Sequence, residues 1–178
     1  MDKQQYVNMI SNLAGQIFDV VCQPQKSPLE VVYTENYNGG EDNAKLVYAK
    51  DGDSGFDLRA ETNASGGYQV APQSTLVIPV GIKVATPKGT ELQVRTRGGS
   101  PVKRGFFVSN SPGTVDSGYR GVVGVLCHNL SDEVLEIECG ERIAQGVICP
   151  VLEAEFIEVT ELDETDRGEG AYNSTGTN

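Results

Sequence analysis

From residue 29 onward the chain has no apolar pattern long enough for a substantial helix, only brief runs cut by turn residues. The runs are Leu29–Tyr33, Phe56–Ala60, Leu76–Val80, Ile82–Ala85, Leu92–Arg95, Phe106–Val108, Val122–His128, Ile143–Cys149 and Phe156–Val159. The 21 glycines, with Pro, Asn, Asp and Ser, supply the breaks between them. Short strands at such spacing predict an all-β body, a barrel or jelly roll. Thr86-Pro87-Lys88-Gly89 fits a type I turn, with Pro second and Gly fourth. Residues 2–22 depart from the pattern. There Val7, Ile10, Leu13, Ala14, Ile17, Phe18 and Val21 recur at helical spacing, Asp2 is a candidate N-cap, and Pro24 and Pro28 end the run.

The expected organisation is a helical extension over 1–28, a β domain over 29–162 with a polar insertion at 34–45, and a mobile C-terminal arm over 163–178. The helix serves either as a flap packed on the β body or as an added surface for a protein partner. A chain of 178 residues is long enough for one domain with a sizeable core.

The net charge of −11 argues against a nucleic-acid partner, because a phosphate backbone needs a basic face. A small anion is compatible, since a few arginines and a divalent cation make a local positive pocket. Cys22, Cys127, Cys139 and Cys149 show no C-x-x-C spacing, and His128 is the single histidine, so no zinc site is expected. Reduced, mostly buried thiols in a cytoplasmic protein fit that usage. Lys3 is the only early positive charge, and Ser11, Asn12, Gln16 and Asp19 interrupt any signal-peptide core. No apolar run reaches membrane-spanning length, so no membrane is expected.

Two segments carry the chemistry. Residues 110–129, NSPGTVDSGYRGVVGVLCHN, place Asp116 between Pro112-Gly113 and Ser117-Gly118 and ahead of a Val-rich strand. Pro-Gly and Ser-Gly are turn signals, so Asp116 is expected at a loop or strand edge open to a ligand. A lone Asp between turns also suits an Asx turn. The tail from Asp166, DRGEGAYNSTGTN, is Gly-rich and polar with a lone Arg167 and a lone aromatic, Tyr172. It cannot bury a core, and reads as an arm that orders on a ligand.

These residues belong to a larger pattern. GDSGFDLRA (52–60), RGGSPVKRG (97–105), NSPGTVDSGYRG (110–121), GERIAQGVICP (140–150) and RGEGAYNSTG (167–176) stand in one order. The set resembles the five motifs of the trimeric deoxyuridine triphosphate pyrophosphatases (dUTPases), over about residues 46–178. The resemblance implies a distorted β jelly roll of the β-clip type and active sites between the subunits of a homotrimer. It implies hydrolysis of dUTP to dUMP and pyrophosphate, with Mg²⁺ held by the triphosphate and water rather than directly by the protein.

By the same resemblance Asp116 is the general base and touches the sugar 3′-hydroxyl. Arg97 and Gln145 contact phosphate, with Gly98 and Gly99 beside them. A β-hairpin from Asn110 to Gly124 holds uracil, through the Asn110 side chain and the backbone of Gly113, Thr114, Val115 and Gly124. Tyr119 packs under the deoxyribose. Arg167 grips phosphate from the arm, Tyr172 stacks on uracil, and Asn173 and Ser174 belong to the same binding arm. Asp57 stands near the metal or the catalytic water. The chain departs from the family at Gly98, where a serine is usual, at Ala171 and Asn173, where glycines are usual, and at Tyr172, where Phe is common. Deamination of dCTP on the same fold needs a glutamate where this chain has Leu126. A non-catalytic, nucleotide-gated binding module is the reading from another class.

Overall fold

The computed structural model describes residues 4, 5, 7–13, 27–41, 43–165 and 168. Eleven strands appear there: β1 (Glu30–Tyr33), β2 (Phe56–Arg59), β3 (Gly67–Val70), β4 (Thr75–Pro79), β5 (Ile82–Ala85), β6 (Thr90–Arg95), β7 (Phe106–Val108), β8 (Gly113–Val115), β9 (Gly124–Asn129), β10 (Leu135–Glu138) and β11 (Arg142–Pro150). All ladders are antiparallel. One sheet runs β2-β11-β6-β8, a second β4-β9-β7, and two pairs, β1-β5 and β10-β3, complete the set. The architecture is all-β. Among the described residues the strands divide among four sheets, with no ladder closing them into a continuous barrel.

Alternation decides which face goes inward. Leu92 and Val94 on β6, Val125 and Cys127 on β9, and Ile82 and Val84 on β5 are buried, and their neighbours along each strand are more exposed. Phe56, Leu58, Ile78, Phe106 and Ile137 join them in one core cluster. Each fully buried Val, Leu, Ile or Phe contributes about 1.5–3 kcal/mol relative to exposure. Gly146 makes room at the centre: a Cβ there would lie 2.7 Å from the Phe56 ring and 3.0 Å from Leu92. Asn129 is buried yet satisfied. Its amide donates to the carbonyls of Val70 and Glu133 at 3.0 and 2.7 Å and accepts from Ser131 N at 2.9 Å, which ties β9 to β3 and to the turn before β10.

Several expectations need correction. Phe156–Val159 forms no strand: past β11 Val151 N donates to Gly89 O at 2.9 Å, and the described chain then runs on without a ladder, Leu152 98% and Phe156 96% exposed. Strands β3, β8 and β10 were not foreseen, nor was the five-residue helix Ser100–Arg104. The turn at Pro87 is displaced by one residue: Thr90 N donates to Pro87 O at 3.1 Å, and Gly89 takes the positive φ of 79° at its third position. Near the N-terminus residues 4, 5 and 7–13 are helical, inside the expected 2–22 span. Val7, Met9, Ile10 and Leu13 there are about half exposed and none joins the core cluster. The rest of that span, with Cys22, lies outside the described residues.

Candidate active site

The site begins with an irregularity in β11. Arg142 pairs with Arg59 and Ala144 with Leu58, so Ile143 is an extra residue, a β-bulge. Ile143 and Ala144 are both fully buried in succession. Strict alternation would send Arg142 and Gln145, three residues apart, to opposite faces. The bulge resets the phase, and both side chains line one cleft. Gln145 pairs opposite Asp57 on β2 and Arg95 on β6, which puts all three on the same outer face.

That cleft, about 650 Å³, gathers Arg97, Lys103, Arg104 and Arg142 with Asp57, Gln145, Gly98, Gly99 and Ser100. The Asp57 carboxylate accepts from Arg97 Nε at 2.9 Å with one oxygen and from Arg142 Nε at 3.1 Å with the other. Both contacts run through Nε, which leaves the Nη ends of two guanidinium forks for an anion. Gln145 Nε2 donates to Thr96 O at 3.0 Å and fastens the segment carrying Arg97 to β11. Arg104 is held by Glu141 at 3.1 Å. The arrangement is an oriented cationic cleft in which one carboxylate aligns two arginines, chemistry suited to an anion.

A second group of expected residues lies across Thr96. Its hydroxyl accepts from Val108 N at 2.9 Å, and its own N–H donates to Ser111 Oγ at 3.0 Å. The Asn110 side chain packs on Gly113, where a Cβ would sit 2.9 Å from its Nδ2, so glycine permits that approach. Thr114 faces outward opposite Gln93, while Gly113 and Val115 pair with Val94 and Leu92. Asp116 follows, exposed, with its carbonyl accepting from Tyr119 N at 3.0 Å in a tight turn. Tyr119 folds over Gly121 and donates from its hydroxyl to Val122 O at 3.1 Å. Gly124 pairs with Pro79 on β4.

The expected hairpin from Asn110 to Gly124 is therefore not a paired hairpin. β8 pairs with β6, whereas β9 pairs with β4 and β7, so the segment crosses between two sheets. The reason is competition for edges: β6 offers a free edge to Gly113–Val115, and β9 is taken on both sides.

The structure thus assembles Arg97, Gly98, Gly99, Gln145 and Asp57 in one cleft, and Asn110, Gly113, Thr114, Val115, Asp116, Tyr119 and Gly124 along another path. Val115 opposite Leu92 leads Asp116 toward the Glu91 end of β6, while Arg97 extends beyond the other end. From position 91 to 97 is six residue steps at about 3.4 Å, so the two backbones lie on the order of 15–20 Å apart. Arg167, Tyr172, Asn173 and Ser174 lie outside the described residues. Sequence reasoning had assigned no role to Lys103, Arg104 or Arg142. Arg142 stands within the GERIAQ motif, but its direction depends on the bulge, which local sequence does not announce.

Fold and site together define a jelly-roll-like β protein whose cationic cleft suits a polyphosphate. The dUTPase family profile matches residues 42–176. Deoxyuridine 5'-triphosphate nucleotidohydrolase from Roseobacter denitrificans is 45% identical over 130 residues, 73% of this chain and 85% of that one. The protein of the same description from Caulobacter vibrioides is 44% identical over 142 residues, 80% and 92% of the two chains. Among solved structures, Staphylococcus bacteriophage 80alpha dUTPase with dUPNHPP has a TM-score of 0.71 at 24% identity, covering 85% of this chain and 99% of that one. The dUTPase of S. aureus phage phi11 has a TM-score of 0.63 at 22% identity, covering 78% and 99%. These two likenesses speak for the fold. The chain belongs to the dUTPase family.

Proposed function

We propose that the chain hydrolyses dUTP to dUMP and pyrophosphate, keeping uracil out of DNA and supplying dUMP for thymidylate synthesis, at sites shared among three copies. The observation that carries the reading is the Asp57 clamp: one carboxylate aims Arg97 and Arg142 into the cleft that also holds Gln145. Preorganised cations of this kind stabilise charge as it builds on the leaving pyrophosphate. Asp116 takes the proton from the attacking water, a role that typically contributes about 10²–10⁴-fold. The Asn110 amide and the backbone around Gly113 read the uracil edge, and a methyl at its 5-position collides with so close a wall. Tyr119 covers the sugar and leaves no room for a 2′-hydroxyl. Arg167, Tyr172, Asn173 and Ser174 close the site from the arm.

Mg²⁺ fits this donor set as a cation carried by triphosphate oxygens and water. Among the described residues no three His, Cys, Asp or Glu side chains converge, and Asp57 is committed to two arginines. Bound there, it disperses charge on the phosphates.

Two features support the trimer. Asp116 and the cleft of one chain are too far apart to grip the same α-phosphate closely. The segment beyond β11 also leaves Leu152, Phe156, Ile157 and Leu162 exposed, a surface suited to cover by another copy. No helix among the described residues is long and apolar enough to cross a membrane. The free thiols of Cys127, Cys139 and Cys149 suit the reducing cytoplasm. With Mg²⁺, purified protein is expected to release pyrophosphate from dUTP far faster than from dTTP, dCTP or UTP. Equal rates on dUTP and dCTP would overturn the assignment.

A further inference from the structure

Among the described residues lining the cationic cleft, Ser100 is the polar one that is almost wholly buried, at 4% exposure. Its backbone N–H donates to Arg97 O at 3.0 Å. Its hydroxyl has no hydrogen-bond partner among the described residues. Buried hydroxyls are nearly always satisfied, so an unpartnered one at the wall of a ligand cleft marks a bond that the ligand completes. Thr34 Oγ1 is the fully enclosed oxygen of this kind among the described residues, so the Ser100 hydroxyl retains an opening, and Ser100 lines the cleft.

The donors nearby narrow the choice. The Ser100 N–H is spent on Arg97, and Pro101 has none. Gly98 offers only a backbone donor, and a Cβ built there would meet nothing within 4 Å. The turn closed by Ser100 N on Arg97 O, and by Lys103 N on Gly99 O at 2.9 Å, holds the hydroxyl and the arginine as one unit.

We infer that Ser100 is a substrate-binding residue, its hydroxyl donating to a phosphate oxygen of the triphosphate and standing in for the side-chain donor that Gly98 lacks. This rests on the reading of the cleft as the polyphosphate seat. A donor to a charged acceptor at this place sharpens binding and charge stabilisation where the anhydride breaks.

The test compares Ser100→Ala, Ser100→Cys, Ser100→Ala with Gly98→Ser, and Arg97→Ala. The readouts are kcat and KM for dUTP, and Kd for dUMP and for α,β-imido-dUTP. Ser100→Ala is expected to lower kcat/KM about tenfold or more. Affinity for dUMP, which lacks the outer phosphates, stays within twofold, and Gly98→Ser recovers most of the lost rate. Should Ser100→Ala fail to fold, Ser100→Cys, close in size and a weak donor, carries the same expectation. A folded Ser100 variant within twofold of wild-type kcat/KM overturns the inference, as does equal weakening of dUMP and the imido analogue. Arg97→Ala separates the two claims: a variant that keeps its rate rejects the polyphosphate reading itself. Loss with Arg97→Ala but not with Ser100→Ala rejects Ser100 alone.

Discussion

At the scale of single residues, Asp57 and Asp116 have contrasting surroundings, which suit them to the two tasks proposed for them. Asp57 is half-buried between two arginines and serves as a positioning group. Asp116 is exposed on a turn, with no arginine or lysine paired to it among the described residues. Asp116→Asn keeps the shape and removes the base of the proposed mechanism. Turnover should fall roughly 10²-fold or more while nucleotide affinity changes less than tenfold. Rate and affinity measured on the same preparation check this, and turnover within threefold of wild type excludes the role. Cys127 supplies a titration. Burial, and then the charge of Glu141, push its thiol from 9.0 up to about 12. The folded state therefore holds a proton that the unfolded chain releases at lower pH. This thiol leaves stability unchanged below about pH 9, and stability declines as pH rises from 9 toward 12. Urea melts across that window should show the decline, and Cys127→Ala should flatten it.

Among the elements, β11 does the most. It joins β2 to β6, fills the core with Ile143, Ala144 and Gly146, and turns Arg142 and Gln145 to one side through its bulge. Gly146 is a tight point within it. Gly146→Ala pushes a methyl against the Phe56 ring, and overpacking of this kind costs about 1–3 kcal/mol. The urea midpoint should drop with the slope unchanged, and an unaltered midpoint would mean that Phe56 yields freely. The strands that sequence reasoning placed well, such as β5 and β7, are runs dense in β-branched and aromatic residues. The missed ones are of another kind. Gly67–Val70 opens on glycine, Gly113–Val115 has three residues, and Leu135–Glu138 alternates with two glutamates. Their strand character comes from partners far along the chain.

For the molecule as a whole, the separation of Asp116 from the Arg97 cleft, on the order of 15–20 Å between backbones, bears on how the proposed site is built. If Asp116 of one copy serves the Arg97 cleft of another, Asp116→Asn and Arg97→Ala can complement each other. Each homotrimer should be nearly inactive. Co-refolded in equal amounts, random threefold assembly gives both intact groups in one site out of four, and about a quarter of wild-type activity returns. Mixed trimers confirmed by mass but without recovery would reject the shared site.

The sequence by itself determined the all-β class, the five motifs and the residue types that phosphate chemistry needs. Those depend on local signals: turn residues, alternation, and a few charged or aromatic side chains in fixed order. It also brought Arg97, Gln145 and Asp57 together through resemblance. The tertiary structure decided where those side chains meet. The Asp57 clamp needs β2 beside β11, and the placement of Arg142 needs one extra residue opposite Leu58. The Asn110–Gly124 segment looked like a hairpin because its turn residues are local, yet its strands took partners in separate sheets. Pairing between distant strands is settled by which edges remain free once the core is packed, and no window of sequence contains that information.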